Sequence, residues 1–133
     1  MRLQMDLEDI LTAIAQTSSQ HTIILFDSGV MDGSAYTDGN IWQAILDETG
    51  WSTIQLRDRR YEAVIHLVTA ADGAEEVYVP EKFSAEKARE IDKRLIDAWV
   101  GHPSFDLVKN RKKGFNNKID YCLKKVLSIV GMP

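Results

Sequence analysis

The residue best placed to do chemistry in this 133-residue chain is Asp27, which ends a short apolar run and starts a loop of small residues. The run, residues 22–26, reads TIILF, and its β-branched and apolar types favour a strand buried on both faces. Gly29 and Gly33 then make the loop. A carboxylate in this position is suited to Mg²⁺ that is shared with a nucleotide phosphate. The pattern therefore makes Asp27 a candidate for such a contact.

The motif that would bind the nucleotide phosphates is missing from the sequence. The phosphate-loop motif G-x-x-x-x-G-K-[ST] occurs nowhere in the 133 residues. That loop normally supplies the backbone N–H cradle, a lysine and an Mg²⁺-binding hydroxyl. The sequence therefore indicates a nucleotide-handling fold without its phosphate site.

Other candidate ligands lie near the ends of predicted elements. Asp32 and Asp38 follow Asp27 and could form a carboxylate cluster, although loop capping is the simpler role. Asp72 follows the second predicted strand, where α/β folds place ligand contacts, but Ala-Asp-Gly also reads as an ordinary turn. No histidine has a metal-ligand spacing with another histidine or with Cys122, so a zinc site is not expected. A G-x-S-x-G nucleophile motif is also absent.

The composition is that of one ordinary globular domain, with 44% hydrophobic and 27% charged residues. A formal net charge of −4 argues against general nucleic-acid binding. No apolar run approaches the length of a membrane span, and the N-terminus has no secretory or transit signal. The single cysteine indicates a reducing compartment. We expect an intracellular, cytoplasmic protein, with import into an organelle left open.

Charge is distributed unevenly along the chain. Residues 1–50 hold eight acidic residues against one basic residue, whereas residues 109–125 hold seven basic residues against one acidic residue. The second region contains a candidate patch for an anion or a partner: Lys109, Arg111, Lys112, Lys113 and Lys118. A solvated helix face is the simpler explanation; a weaker hypothesis is an anchor for anionic lipid or RNA phosphates.

The periodicity of apolar residues predicts an α/β layered fold with parallel strands. Helices are predicted at 3–17, 39–49, 84–100 and about 115–130, and strands at 22–26, 61–68 and 105–109. Ser84 is predicted as an N-cap, and Gly50 and Gly101 as helix stops.

Four segments together resemble the NadR/TRPL-translocation-defect type of P-loop NTPase domain, an AAA-type branch similar to nucleoside kinases. They are DSGVMDGSAY at 27–36, LRDRRYEAVIHLVTAADGAEEVY at 56–78, AREIDKRLIDAWVGHP at 88–103, and FNNK with a terminal GMP within 115–133. They occur in the family's order and reach nearly from end to end of the chain. The resemblance implies a partial three-layer fold with about three parallel strands and flanking helices. The chain would then be a single, incomplete domain over residues 1–133 that lacks the phosphate-loop strand.

The chain departs from this family at the nucleotide site. The family's Asp-Arg-Gly reads Asp27-Ser28-Gly29 here, and a serine cannot replace the bidentate charge of a guanidinium. The lid segment between Tyr78 and Ala88 is shorter and retains neither the family's Asn nor its Arg, and an Asp-Asn pair reads Lys109-Asn110. The resemblance thus implies the remnant of a nucleotide and Mg²⁺ site, with no catalytic residue. Its members would be Asp27, Asp32, Asp72 and Asn110.

Phosphoryl transfer needs several cations around the transferred group, so these gaps favour a non-catalytic, degenerate domain that acts as a structural or protein-interaction subunit. The alternative is the C-terminal half of an ATP- or GTP-binding domain whose phosphate loop comes from another chain or from upstream residues. Mg²⁺ with ATP or GTP would be a cofactor only in that case. In this family the phosphate-loop strand lies between the strands matching 22–26 and 61–68. We therefore expect a protein partner or a second copy to cover the exposed strands.

Overall fold

The computed structural model describes residues 1–111 and 114–132. Its five α-helices are α1 (Arg2–Gln16), α2 (Asp32–Tyr36), α3 (Gly39–Thr49), α4 (Ala85–Trp99) and α5 (Gly114–Ile129). Two strands, β1 (Val64–Leu67) and β2 (Phe105–Val108), a π-helical turn (Ile54–Arg59) and a 3₁₀ turn (Glu75–Val77) complete the described part. The result is a mixed α/β fold that is mostly helical, and no described helix has the length and apolar character needed to cross a membrane.

The sheet of the described residues has two parallel strands, with Val64 beside Phe105 and Leu67 beside Val108. Helix α4 makes the crossover between them, as a parallel connection requires. The strands predicted at 61–68 and 105–109 are therefore confirmed, with shorter bounds.

The strand predicted at 22–26 is wrong. Residues 21–26 belong to no helix or strand in the structure, and Leu25 is 79% exposed. A β-branched run becomes a strand only where a neighbour accepts its backbone hydrogen bonds, and no described strand lies beside it. The expected count of about three strands is reduced to two.

The predicted helices are all confirmed, and local chemistry explains where they begin and end. Ser84 caps α4, because its hydroxyl accepts a hydrogen bond from the Lys87 N–H at 3.2 Å. Asp38 caps α3 in the same way through the Asn40 N–H. Gly50 ends α3 with φ of 72°, a left-handed conformation that favours glycine.

The core lies between the short helices and α4. It contains Val30, Met31, Leu46, Leu56 and Trp99, with Trp42 and Trp51 packed against it. All three tryptophans thus lie in or against the core. The Trp99 indole also packs directly against Gly29, so a side chain at position 29 would clash with the ring.

Helix α1 contacts the rest of the fold through Met5, which packs against the core, and through polar side chains. Its only buried residue is Glu8, whereas its apolar stripe is exposed. The stripe consists of Leu3, Leu7, Ile10, Leu11 and Ile14. Periodicity predicted this helix and its stripe, but the described fold leaves the stripe uncovered.

Candidate functional site

Several polar side chains lie together at the carboxyl end of β1 and β2, where parallel sheets usually bind ligands. We call this group the sheet-end cluster: Thr69, Asp72, Asp92, Asn110 and Lys118. Its members come from the loop after β1, the second residue after the end of β2, and helices α4 and α5.

Asn110 holds the loop after β1 in place. Its Nδ2 donates to the backbone carbonyls of Thr69 and Asp72, each at 2.7 Å. The Oδ1 of the same side chain accepts from Lys118 Nζ at 2.8 Å. The structure thus brings the predicted residues Asp72 and Asn110 together, although the contact uses the backbone of Asp72 and leaves its carboxylate exposed.

Lys118 reaches from α5 to the end of β1. Its Nζ donates to the Val68 carbonyl at 2.7 Å as well as to Asn110. Burial lowers the pKa of Lys118, while Asp92 opposes this shift by favouring the charged ammonium. This lysine is therefore a half-buried internal contact of the fold.

Asp92 connects α4 to β1. Its Oδ1 accepts from the Thr69 N–H at 3.0 Å and lies 3.0 Å from Nε2 of His66. Because Arg89 also donates to the Ala71 carbonyl at 2.8 Å, the start of α4 is fixed to the loop after β1 at two points. The buried carboxylate of Asp92 thus has partners that compensate its desolvation.

Asp32 lies at the other end of α4. Its Oδ1 accepts from the indole N–H of Trp99, the last residue of the helix. Arg89, which contacts the loop of Asp72, is ten residues earlier in α4, so about 15 Å of helix separates these two contact points. The predicted remnant site therefore divides into two parts, and Asp32 does not join Asp72 and Asn110.

Asp27 is exposed and lies near the first helix. The neighbouring Ser28 accepts a hydrogen bond from Gln4 Nε2 through its carbonyl at 2.9 Å, and the Phe26 ring contacts Tyr61 with centroids 6.0 Å apart. Among the described residues, no group of three or more His, Cys, Asp and Glu side chains could hold a metal ion.

A second polar cluster, which sequence reasoning missed, anchors α1. Arg60 Nε donates to Glu8 Oε2 at 2.6 Å, and its Nη2 donates to Asp9 and to the Met5 carbonyl at 2.8 Å. The Tyr61 hydroxyl donates to Glu8 at 2.9 Å and accepts from the Val30 N–H. A cleft of about 320 Å³ opens beside these residues. Partners 52 residues apart leave no local pattern, so no signal in the sequence could have paired them.

The predicted anion patch is not one continuous surface. Lys109 and Arg111 are exposed, Lys118 is occupied inside the sheet-end cluster, and Lys112 and Lys113 lie outside the described residues. The described part of the patch thus offers two exposed cations before α5.

Among the described residues, no strand lies beside the edge of β1 that faces away from β2. Val64 and Val68 donate their backbone N–H groups to residues 104 and 108 on the β2 side. Because alternate residues of a parallel strand point to opposite edges, Ile65 and Leu67 direct their backbone groups away from β2. Leu67 is also 43% exposed, which is unusual for a strand of a parallel sheet.

Comparison of the chain with protein-family models, with curated proteins and with solved structures found no match.

Proposed function

We propose that this chain is a non-catalytic, NTPase-like interaction subunit whose sheet is completed by a strand from another polypeptide segment. The observation that carries the proposal is the open edge of β1 together with the unpaired segment 21–26. Both present backbone groups and apolar side chains that a third strand would cover.

The resemblance of four sequence segments to P-loop NTPase domains supports the location of the missing strand. In those domains the phosphate-loop strand lies between the counterparts of 22–26 and β1. The absence of one pairing partner explains why TIILF, a run with strong strand propensity, forms no strand and leaves Ile23 and Leu25 exposed. A strand supplied by another polypeptide would pair with residues 21–26 on one side and with β1 on the other.

The lack of a phosphate loop supports a non-catalytic role. Ser28 and the short lid provide no guanidinium, and Lys118 and Asn110 hold each other and the carbonyls after β1. Charges that are already used by the fold are not free to stabilise a transferred phosphoryl group.

The test is a proline at the free edge. Leu67→Pro removes a backbone N–H that points away from β2, so the β1–β2 ladder stays intact while strand addition is blocked. Leu67→Thr, the matched control, shortens the same side chain but keeps the N–H. We expect complexes isolated with the tagged chain to be lost with L67P and kept with L67T. Hydrogen exchange should show the Ile65 and Leu67 amides protected only in the complex. Equal protection of these amides in the free and bound chain would contradict the proposal.

Titration with Mg²⁺ and ATP or GTP tests the non-catalytic part. We expect no heat of binding from the isolated chain, and binding with a dissociation constant of about 10 µM or tighter would overturn this part.

The second candidate function is the C-terminal half of an ATP- or GTP-binding domain completed by a separate phosphate loop. The observation in its favour is that Asp72, Asn110 and Lys118 meet at the carboxyl end of both strands. A partner that carries G-x-x-x-x-G-K-[ST] and binds Mg²⁺–nucleotide only when mixed with this chain would favour it.

A further inference from the structure

Two helices of the chain expose apolar stripes although both are bound to the fold through polar side chains. On α1 the stripe runs over Leu3, Leu7, Ile10, Leu11 and Ile14, which are 48% to 71% exposed. On α5, Lys118 and Tyr121 contact the sheet strands or their ends, while Phe115, Ile119 and Leu123 are 42% to 69% exposed.

The two stripes match in length and in pattern. Helix α1 has 15 residues and α5 has 16, so each is about 22 to 24 Å long. Leu3, Leu7, Ile10 and Ile14 follow the spacing of four and three residues that suits helix pairing. On α5, Phe115, Ile119 and Leu123 repeat every four residues along one face.

The two helices differ in charge, and this selects which stripes can pair. At its surface α1 carries Asp6 and Asp9 against Arg2, since Glu8 is buried against Arg60. The described α5 presents Lys124 and Lys125 against Asp120, since Lys118 is held inside the sheet-end cluster. Pairing α1 with α1 or α5 with α5 brings like charges together, and pairing α1 with α5 brings opposite charges together. The wider polarity of the chain, acidic before residue 50 and basic at 109–125, favours the same choice.

Because both stripes are exposed in one molecule, they do not cover each other within it. We infer that two copies of this chain associate with α1 of each copy packed against α5 of the other. A closed two-fold arrangement forms both contacts and covers all four stripes. This self-association uses helix faces and is separate from the strand addition at β1.

The test introduces a charge into the apolar stripe of one helix at a time. Leu7→Lys places a cation on α1 opposite the basic α5, and Leu123→Glu places an anion on α5 opposite the acidic α1. Both side chains are more than half exposed in the single molecule, so the fold should tolerate both changes. We expect each variant alone to dimerise at least about tenfold more weakly than the wild-type chain in sedimentation equilibrium.

Mixing the two variants provides the decisive result. In the mixed dimer, α1 with L7K packs against α5 with L123E, so opposite charges meet in that contact. The second contact is wild type, so dimerisation should return only in the mixture. Val77→Lys and Val79→Glu are matched controls, because both valines are 67% exposed but lie outside the two helices. They should leave the dimer unchanged.

Three outcomes overturn the inference: a wild-type chain that stays monomeric at the highest concentration reached, an L123E variant that dimerises normally, or a mixture that does not recover. Circular dichroism checks that each variant is folded, and Ile14→Lys replaces L7K if that variant loses helical signal.

Discussion

Tyr61 joins three parts of the molecule through one hydroxyl, which donates to Glu8 of α1 and accepts from the N–H of Val30. Its ring packs edge-on against Trp99 with centroids 5.5 Å apart. Burial is the main reason that the pKa of Tyr61 is raised from its ordinary value of 10.0, and the neighbouring Glu8 adds to the shift. The neutral hydroxyl is therefore part of the folded state's stability.

This shift predicts how stability changes at alkaline pH. A tyrosine whose pKa is raised by folding keeps its proton where the unfolded chain loses it, so stability is full below about pH 10 and falls above it. Tyr61→Phe should lower the free energy of unfolding by about 1–3 kcal/mol, because Glu8 and Val30 lose a partner. It should also flatten the alkaline decline.

The measurement is urea unfolding at about pH 8 and at several values above 10. Tyr36→Phe is the control, because Tyr36 is 62% exposed and should change neither quantity. An alkaline slope that is the same in Y61F and wild type would refute the assignment to Tyr61.

Single residues could be predicted from the sequence where their partners are local. The cap at Ser84 and the left-handed stop at Gly50 depend on neighbours within three or four residues, and the structure confirms them. Glu8 and Arg60 could not be paired, because their contact depends on how α1 docks. The separation of Asp32 from Asp72 has the same origin.

At the scale of elements, periodicity predicted the helices and two strands but not what covers them. Segment 22–26 has the composition of a buried strand, yet it lacks a neighbour in the described structure. The stripe of α1 has the spacing of a core helix, yet it faces outward. An apolar pattern indicates that a face is suited to burial. It does not indicate whether the residues that bury it belong to the same molecule.

The loop after β1 depends on one side chain of the neighbouring element. Asn110→Ala removes the donor to the Thr69 and Asp72 carbonyls and the acceptor of Lys118, so we expect a loss of about 1–3 kcal/mol in unfolding free energy. The amide of Thr69 should also exchange faster, since the loop is no longer held.

Asn116→Ala is the matched control, because Asn116 lies exposed in the first turn of α5. Denaturant unfolding with amide exchange measures both effects. If the two variants were equally stable, Asn110 would not be the clamp that its contacts indicate.

At the scale of the whole molecule, the fold has a small core and two outlying helices. Core residues come from the segment 30–56 and from α4, whereas α1 contributes Glu8 as its only buried residue and the described α5 contributes none. Free energy of local opening follows the apolar surface that an element buries. The outlying helices should therefore be the least protected parts of a single molecule, and the most sensitive to association.

Native-state hydrogen exchange tests this expectation at two chain concentrations. In dilute solution the amides of α1 and α5 should exchange by local opening, well before those of α4, which exchange only when the core opens. At high concentration, association should raise the protection of α1 and α5 together, because mass action favours the state in which both stripes are covered. Protection of α4 should change much less. If α1 were as protected as α4 in dilute solution, its docking through Glu8 and Arg60 would be stronger than its burial indicates. If α1 gained protection without α5, the two stripes would not be partners in one interface.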